Sequence, residues 1–201
     1  YLSVLPPLGV PVHKTFVWLP ERKEISAEIR HKWPLASGTI IALQPGARWL
    51  NKRWPVQNFS KIVHRLTQKF PEARFAVLGA KDDAPLGEVI SQTAPDKVVN
   101  LCGQTSLPEM IEWVRRCDLL ITNDTGPMHV AAALGTPVVV PFGSTSPELT
   151  GPGLPGDPRH RLLKSDPPCS PCFLRECPID FRCMNSISVE QVVAAVLLAS
   201  D

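Results

Sequence analysis

The run DLLITNDTGPMHVAAALGTPVVVPF, Asp118 to Phe142, reads as strand, sharp turn, helix and strand. Asp118 to Thr122 is a short apolar run, Gly126 to Leu134 a short helix closed by Gly135, and Pro137 to Phe142 a valine-rich strand. Apolar strands alternating with helical segments are the sequence sign of a parallel sheet covered by helices.

The alternation extends outward in both directions. Upstream, Thr39 to Gln44 and Arg74 to Gly79 read as strands around a helix at Asn58 to Phe70, whose Phe59, Ile62, Val63 and Leu66 share one stripe. A helix over Pro85 to Thr93 and a strand at Val98 to Leu101 follow. Ser106 and Glu109 then form a capping box, with Pro108 tolerated in the first turn. Downstream, the chain is rich in proline and glycine from Gly143 to Pro158, then gives a strand at Arg161 to Lys164 and a cysteine-rich loop. A last helix is opened by a second capping box, Ser188 with Gln191. No internal repeat is present, and the fold class is α/β, a Rossmann-like parallel sheet flanked by helices. Residues 1 to 38 do not fit the alternation, and amphipathic Pro20 to Trp33 is expected to pack on a missing neighbour.

The 201 residues, 44% of them apolar, suffice for one compact unit with a real core. The 21 basic and 19 acidic residues leave a net charge of +2, which argues against bulk nucleic-acid binding. The longest apolar stretches fall short of the roughly 18 to 20 residues needed to cross a bilayer. The 22 prolines are about twice average usage but scattered, which means punctuated loops. Tyr1 to Val12 has no basic leader and is broken by Pro6, Pro7 and Pro11, which argues against a signal peptide. A cytoplasmic chain is expected. It begins at Tyr1 without methionine, which fits the later part of a longer protein.

In an open parallel sheet, ligands bind beyond the carboxyl ends of the strands, where helix N-termini point free N–H groups into the crevice. The turn after Thr122 puts Asp124, Thr125 and Gly126 at such an end, an anion cradle in which Gly126 admits close approach and Thr125 offers a hydroxyl. His129, four residues after Thr125, is expected on the same side. The structural alternatives are a helix-capping Asp124 and an ordinary histidine. Lys52, after the first strand, is placed for a phosphate contact or is a solvated charge. Asp82, after the second, is placed for ribose hydroxyls or forms a helix N-cap pair with Asp83. Neither G-x-G-x-x-G nor G-x-x-x-x-G-K-[ST] occurs.

Cys169, Cys172, Cys177 and Cys183 form C-x2-C-x4-C-x5-C, a spacing open to a tetrahedral metal, to two local disulfides or to four reduced thiols. Cys102 and Cys117 read as small core residues.

The run from Asn123 to Pro147, with PGARWLNKRWP at Pro45 to Pro55, resembles the C-terminal half of the lipopolysaccharide heptosyltransferases, glycosyltransferase family 9. The resemblance covers Thr39 to the C-terminus, and Tyr1 to Val12 looks like the end of that family's N-terminal domain. It implies a GT-B arrangement, with residues 1–38 closing the first domain and the interdomain segment and 39–201 forming the nucleotide-sugar domain. By resemblance, Asp124, Thr125, Gly126 and His129 line the diphosphate and sugar pocket, Lys52 contacts the phosphates, Asp82 meets the ribose and Thr105 lies near the nucleoside. The implied donor is ADP-heptose, with no further cofactor and no metal. The implied acceptor is a lipid-linked lipopolysaccharide saccharide, reached through the first domain at the cytoplasmic face of the inner membrane, with peripheral membrane contact. The inverting carboxylate base belongs to that first domain, so this chain alone is expected to bind donor without transferring sugar. Some family members lack the cysteine quartet. The alternatives are a nucleotide-sugar epimerase of the same architecture, a non-catalytic nucleotide-binding module and a small metal-binding protein built on the cysteines.

Overall fold

Ile41 and Leu43 point to one side of the first strand and Ile40 and Ala42 to the other, and all four are buried. That two-sided burial requires helices on both faces of the sheet. In the computed structural model, which describes residues 5–11, 19–35, 38–153 and 156–199, the strands are β1 (Ile40–Gln44), β2 (Arg74–Val77), β3 (Val98–Asn100), β4 (Leu119–Thr122), β5 (Val138–Phe142) and β6 (His160–Lys164). All pair in parallel, in the order β3-β2-β1-β4-β5-β6. The order reverses between β1 and β4, so the loops after these two strands diverge and leave a crevice.

The helices are α1 (Lys23–Lys32), α2 (Val56–Lys69), α3 (Ala84–Ser91), α4 (Leu107–Arg116), α5 (Gly126–Leu134), α6 (Pro147–Thr150), α7 (Arg182–Asn185) and α8 (Val189–Ala199). One core joins Leu43, Phe75, Val77 and Ile121 of the sheet to Phe59, Ile62 and Leu66 of α2, Ile90 of α3 and Val192 and Val196 of α8. The other joins Ala42, Ala76, Leu120 and Val140 to Trp113 of α4, Met128 of α5 and Ile29 of α1. The expected strands agree with the observed ones to within a residue or two. Both capping boxes form: Ser106 N–H donates to Glu109 Oε2 at 2.7 Å, and Ser188 N–H to Gln191 Oε1 at 2.8 Å.

The expectation for Pro20 to Trp33 is corrected. Helix α1 packs on α4 of this same unit, with Ile29 fully buried and the Trp33 and Trp113 rings 6.1 Å apart, edge to face. Arg22 N–H donates to Glu112 Oε1 at 3.1 Å, and Arg115 Nη2 to the Leu19 carbonyl at 2.7 Å. Burial of Ile29 and the ring contact together favour docking by about 2–4 kcal/mol. Of the segment 1–38, residues 1–4, 12–18 and 36–37 lie outside the described ones, so the apolar stretch Tyr1 to Val12 is described only in part.

Candidate functional site

Asn123, buried at the end of β4, ties the two central loops together. Its Oδ1 accepts the Trp54 backbone N–H at 3.0 Å and its Nδ2 donates to the Pro45 carbonyl at 2.8 Å. Between these anchors the β1 loop makes a 3-10 turn at Leu50–Lys52, which brings Lys52 back over the sheet edge. Lys52 Nζ lies 2.7 Å from Asp124 Oδ2 and 4.8 Å from the centre of the Trp49 ring. Asp124 is 6% exposed, so its charge is compensated largely by protein groups.

Around this pair lies a cleft of about 620 Å³, walled by Gly46, Arg48, Trp49, Lys52 and Arg53 of the β1 loop, by Ala80, Asp82 and Asp83 beyond β2, and by Asp124, Thr125 and Gly126. Of the seven residues expected at the site, Lys52, Asp82, Asp124, Thr125 and Gly126 meet here. Half-buried Thr105 and exposed His129 stand outside this lining. Thr125 is the N-cap of α5 in an extended conformation, and no side chain caps the helix, so Asp124 is not its cap. A Cβ on Gly126 would meet nothing within 4 Å, which leaves the helix end open to a ligand. A groove of about 680 Å³ between α2 and the start of α8 is slightly larger, but it lies away from the strand ends and its Arg65 is 4.0 Å from Glu190.

Four contributors were not among the seven site residues expected from the sequence. Asp83, adjacent to exposed Asp82, is the buried carboxylate of the cleft floor: its Oδ2 accepts the Ala80 N–H at 3.1 Å, and Arg53 Nη2 stands 3.9 Å from its Oδ1. Arg53 Nε also donates to the Ala47 carbonyl at 2.8 Å. Asn123 is the tie described above. Thr145, in the loop between β5 and α6, donates to Asp124 Oδ2 at 2.6 Å. The signal for Thr145 was the hydroxyl-rich GSTS run directly after a strand's carboxyl end.

All six cysteines are free in this structure, and Cys102 and Cys117 are buried as expected. Among the described residues, no group of three or more His, Cys, Asp or Glu side chains is placed to hold a metal ion. The cysteine-rich loop buttresses the cleft. Ser170 Oγ donates to the Gly143 carbonyl at 2.6 Å and Phe173 N–H to the Ser144 carbonyl at 2.7 Å, Asn51 Nδ2 donates to the Leu174 carbonyl, and the Arg175 guanidinium lies 5.5 Å from the Trp49 ring.

Comparison with known proteins matches residues 5–181 to the model of glycosyltransferase family 9 (heptosyltransferase). Lipooligosaccharide heptosyltransferase 2 of Haemophilus influenzae is 39% identical over 124 residues, 59% of this chain and 35% of that protein. The protein of the same name from Campylobacter jejuni serotype O:2 is 32% identical over 160 residues, 77% of this chain and 49% of that protein. The chain thus spans half the length of these curated relatives or less. In fold it is similar to the family 9 glycosyl transferase of Veillonella parvula (TM-score 0.79, 22% identity, 100% of this chain and 59% of that one). It is also similar to ADP-heptose lps heptosyltransferase II of Escherichia coli (TM-score 0.77, 22% identity, 96% and 56%).

Proposed function

Because the chain belongs to glycosyltransferase family 9, we propose that the cleft between the β1 and β4 loops is the donor site of a heptosyltransferase. Its donor is ADP-heptose, and the complete enzyme passes the heptose with inversion to the core saccharide of lipopolysaccharide. Residues 39–201 form the donor domain, and residues 1–38 end the acceptor domain and the segment between the two. The acceptor and the base that deprotonates it belong to that other domain, which works at the cytoplasmic face of the inner membrane. In this chain, no helix among the described residues is long and apolar enough to cross a membrane.

The chemistry follows from charge. Breaking a glycosyl phosphate bond builds negative charge on the departing nucleoside diphosphate, and groups fixed around that charge lower the barrier. The Lys52 ammonium and the uncapped N-terminus of α5 supply positive potential from two sides, without need of a metal ion. Gly126 admits the diphosphate to the helix end, and the Thr125 hydroxyl meets its oxygens. Asp124 accepts a hydroxyl of the sugar, Asp82 with Asp83 meets the ribose, and Thr105 and His129 complete the set toward nucleoside and sugar. The observation that carries this reading is the meeting of Lys52 and Asp124 at 2.7 Å beside an open helix N-terminus at the switch point of the sheet.

Calorimetric titration of the 201-residue chain with ADP-heptose tests it. Lys52→Ala and Asp124→Ala weaken binding roughly tenfold or more, the loss expected for a charge-assisted contact. Affinity equal to wild type in both variants overturns the assignment.

A further inference from the structure

Three side chains reach the same oxygen of Asp124. Thr145 Oγ1 lies 2.6 Å from Oδ2, Lys52 Nζ 2.7 Å and Thr150 Oγ1 3.4 Å. A hydroxyl has a single proton, and that of Thr150 has a nearer acceptor in the Ser146 carbonyl at 3.1 Å. Thr145 is therefore the neutral donor that matters, and it is 3% exposed. The two short contacts differ in kind. Lys52 carries a point charge on a flexible stem, is 17% exposed and rests against the face of Trp49, so it has somewhere else to go. Thr145 sits on a short, β-branched side chain in a buried loop pinned by the Phe173 and Ser170 hydrogen bonds, and it stays where it is.

This difference matters because Lys52 has two claimants. In the empty cleft it compensates a carboxylate that is almost fully buried; in the donor-site reading, on which this inference rests, it must serve a diphosphate. An ammonium leaving a buried carboxylate with no other donor would strand that charge, and the penalty would hold it back. We propose that Thr145 is the positioning residue that lets Lys52 change partners. When a diphosphate enters, the Lys52 ammonium turns from Asp124 Oδ2 to the phosphate oxygens, and the Thr145 hydroxyl keeps Asp124 hydrogen-bonded and in the same rotamer. The sugar-facing carboxylate thus keeps its geometry while its counter-ion is lent to the leaving group.

The experiment titrates ADP into the full chain carrying Thr145→Val, Thr145→Ala or Thr145→Ser, each also in a Lys52→Met background. Removing the hydroxyl ties Lys52 to Asp124, so T145V and T145A bind ADP roughly tenfold more weakly. T145S, which restores the hydroxyl on the same carbon, binds as wild type does. In K52M the further change to T145V or T145A leaves ADP affinity unaltered, because the ammonium whose release it governs is gone; a purely structural role would lower it equally in both backgrounds. Equal losses in both backgrounds, wild-type affinity in T145V and T145A, or failure of T145S to restore binding overturns the exchange while the donor site stands. Absence of ADP binding to wild-type chain overturns the donor-site reading and this inference with it. Should T145V not fold, T145A with T145S decides the matter.

Discussion

The Trp54 backbone N–H donates to Asn123 Oδ1 at 3.0 Å across a separation of 69 residues, and the same side chain donates back to Pro45. One buried amide thereby sets the distance between the β1 and β4 loops. Asn123→Ala leaves an N–H and a carbonyl without partners, a loss of about 2–5 kcal/mol if neither is rehydrated. A lower urea midpoint at unchanged m value checks it, with ADP affinity falling in the protein that remains folded.

Two glycines of the cleft respond oppositely to the same change. A Cβ on Gly46 would collide with the Asp83 carboxylate, which is held by the Ala80 N–H. Gly46→Ala therefore displaces Asp83, lowering stability by about 1–3 kcal/mol and abolishing ADP binding. A Cβ on Gly126 meets open space, and alanine favours helix over glycine by up to about 1 kcal/mol. Gly126→Ala keeps or slightly raises the melting temperature yet weakens ADP binding, because the added methyl occupies ligand volume. Calorimetry of both variants, with and without ADP, measures both effects.

Lys52 and Asp124 are unequal in what they leave behind. Without Asp124, Lys52 turns outward past Trp49 to water; without Lys52, a carboxylate 6% exposed keeps only hydroxyl donors. Lys52→Ala is expected to destabilise the chain more than Asp124→Ala, by about 1–3 kcal/mol. The double variant falls nearer to D124A, a non-additivity that denaturant titration of the four proteins reads directly.

Acid weakens the contacts at the start of β6 in two stages. Burial holds the His160 imidazole below its ordinary value of 6.5, so the unfolded chain takes up that proton first. Its contribution is full above about pH 6.5 and declines as the pH falls below it. The Arg159 side chain hydrogen-bonds Asp157 and holds its carboxyl at about 2 instead of 3.8. That contribution is present above about pH 4 and is lost as the pH falls toward 2. His160→Leu, at a side chain 2% exposed, removes the first stage and leaves most of the second, which the Arg159 hydrogen bond dominates, as melting temperatures across the acid range would record.

Thiol reactivity divides the cysteines three and three. Burial pushes the Cys102 thiol up to about 12 and raises Cys117 and Cys183 as well, while Cys169, Cys172 and Cys177 are half-buried in the surface loop. Iodoacetamide on the native chain modifies the latter three first, and the rest follow only on unfolding. Peptide mass spectrometry after a timed quench distinguishes the two sets.

The central strands β1, β4 and β5 were legible because each run is buried on both faces, and α5 matches its expected limits because a glycine closes it in the left-handed conformation. The partner of α1 was not legible. An amphipathic stripe states that a face is buried, never against what, and Trp33 meets Trp113 only through the tertiary fold. His129 was placed by helical spacing from Thr125, but Thr125 is an extended N-cap, so the four-residue rule does not start there. Adjacent Asp82 and Asp83 are equivalent in sequence, and only the turn at Lys81–Asp83 buries one and exposes the other. Thr145 reaches Asp124 because β5 lies beside β4, a neighbour relation that no local pattern encodes.

The strand order has a kinetic corollary. Strand β1 cannot join β4 until the intervening chain, with β2, β3 and three helices, has looped out and returned, and such distant pairings are slow to close. The cleft straddles this seam, so its lining is complete only once β1 and β4 have paired. Ligand uptake during refolding will therefore lag behind the recovery of helical signal and mark the moment at which the middle of the molecule locks.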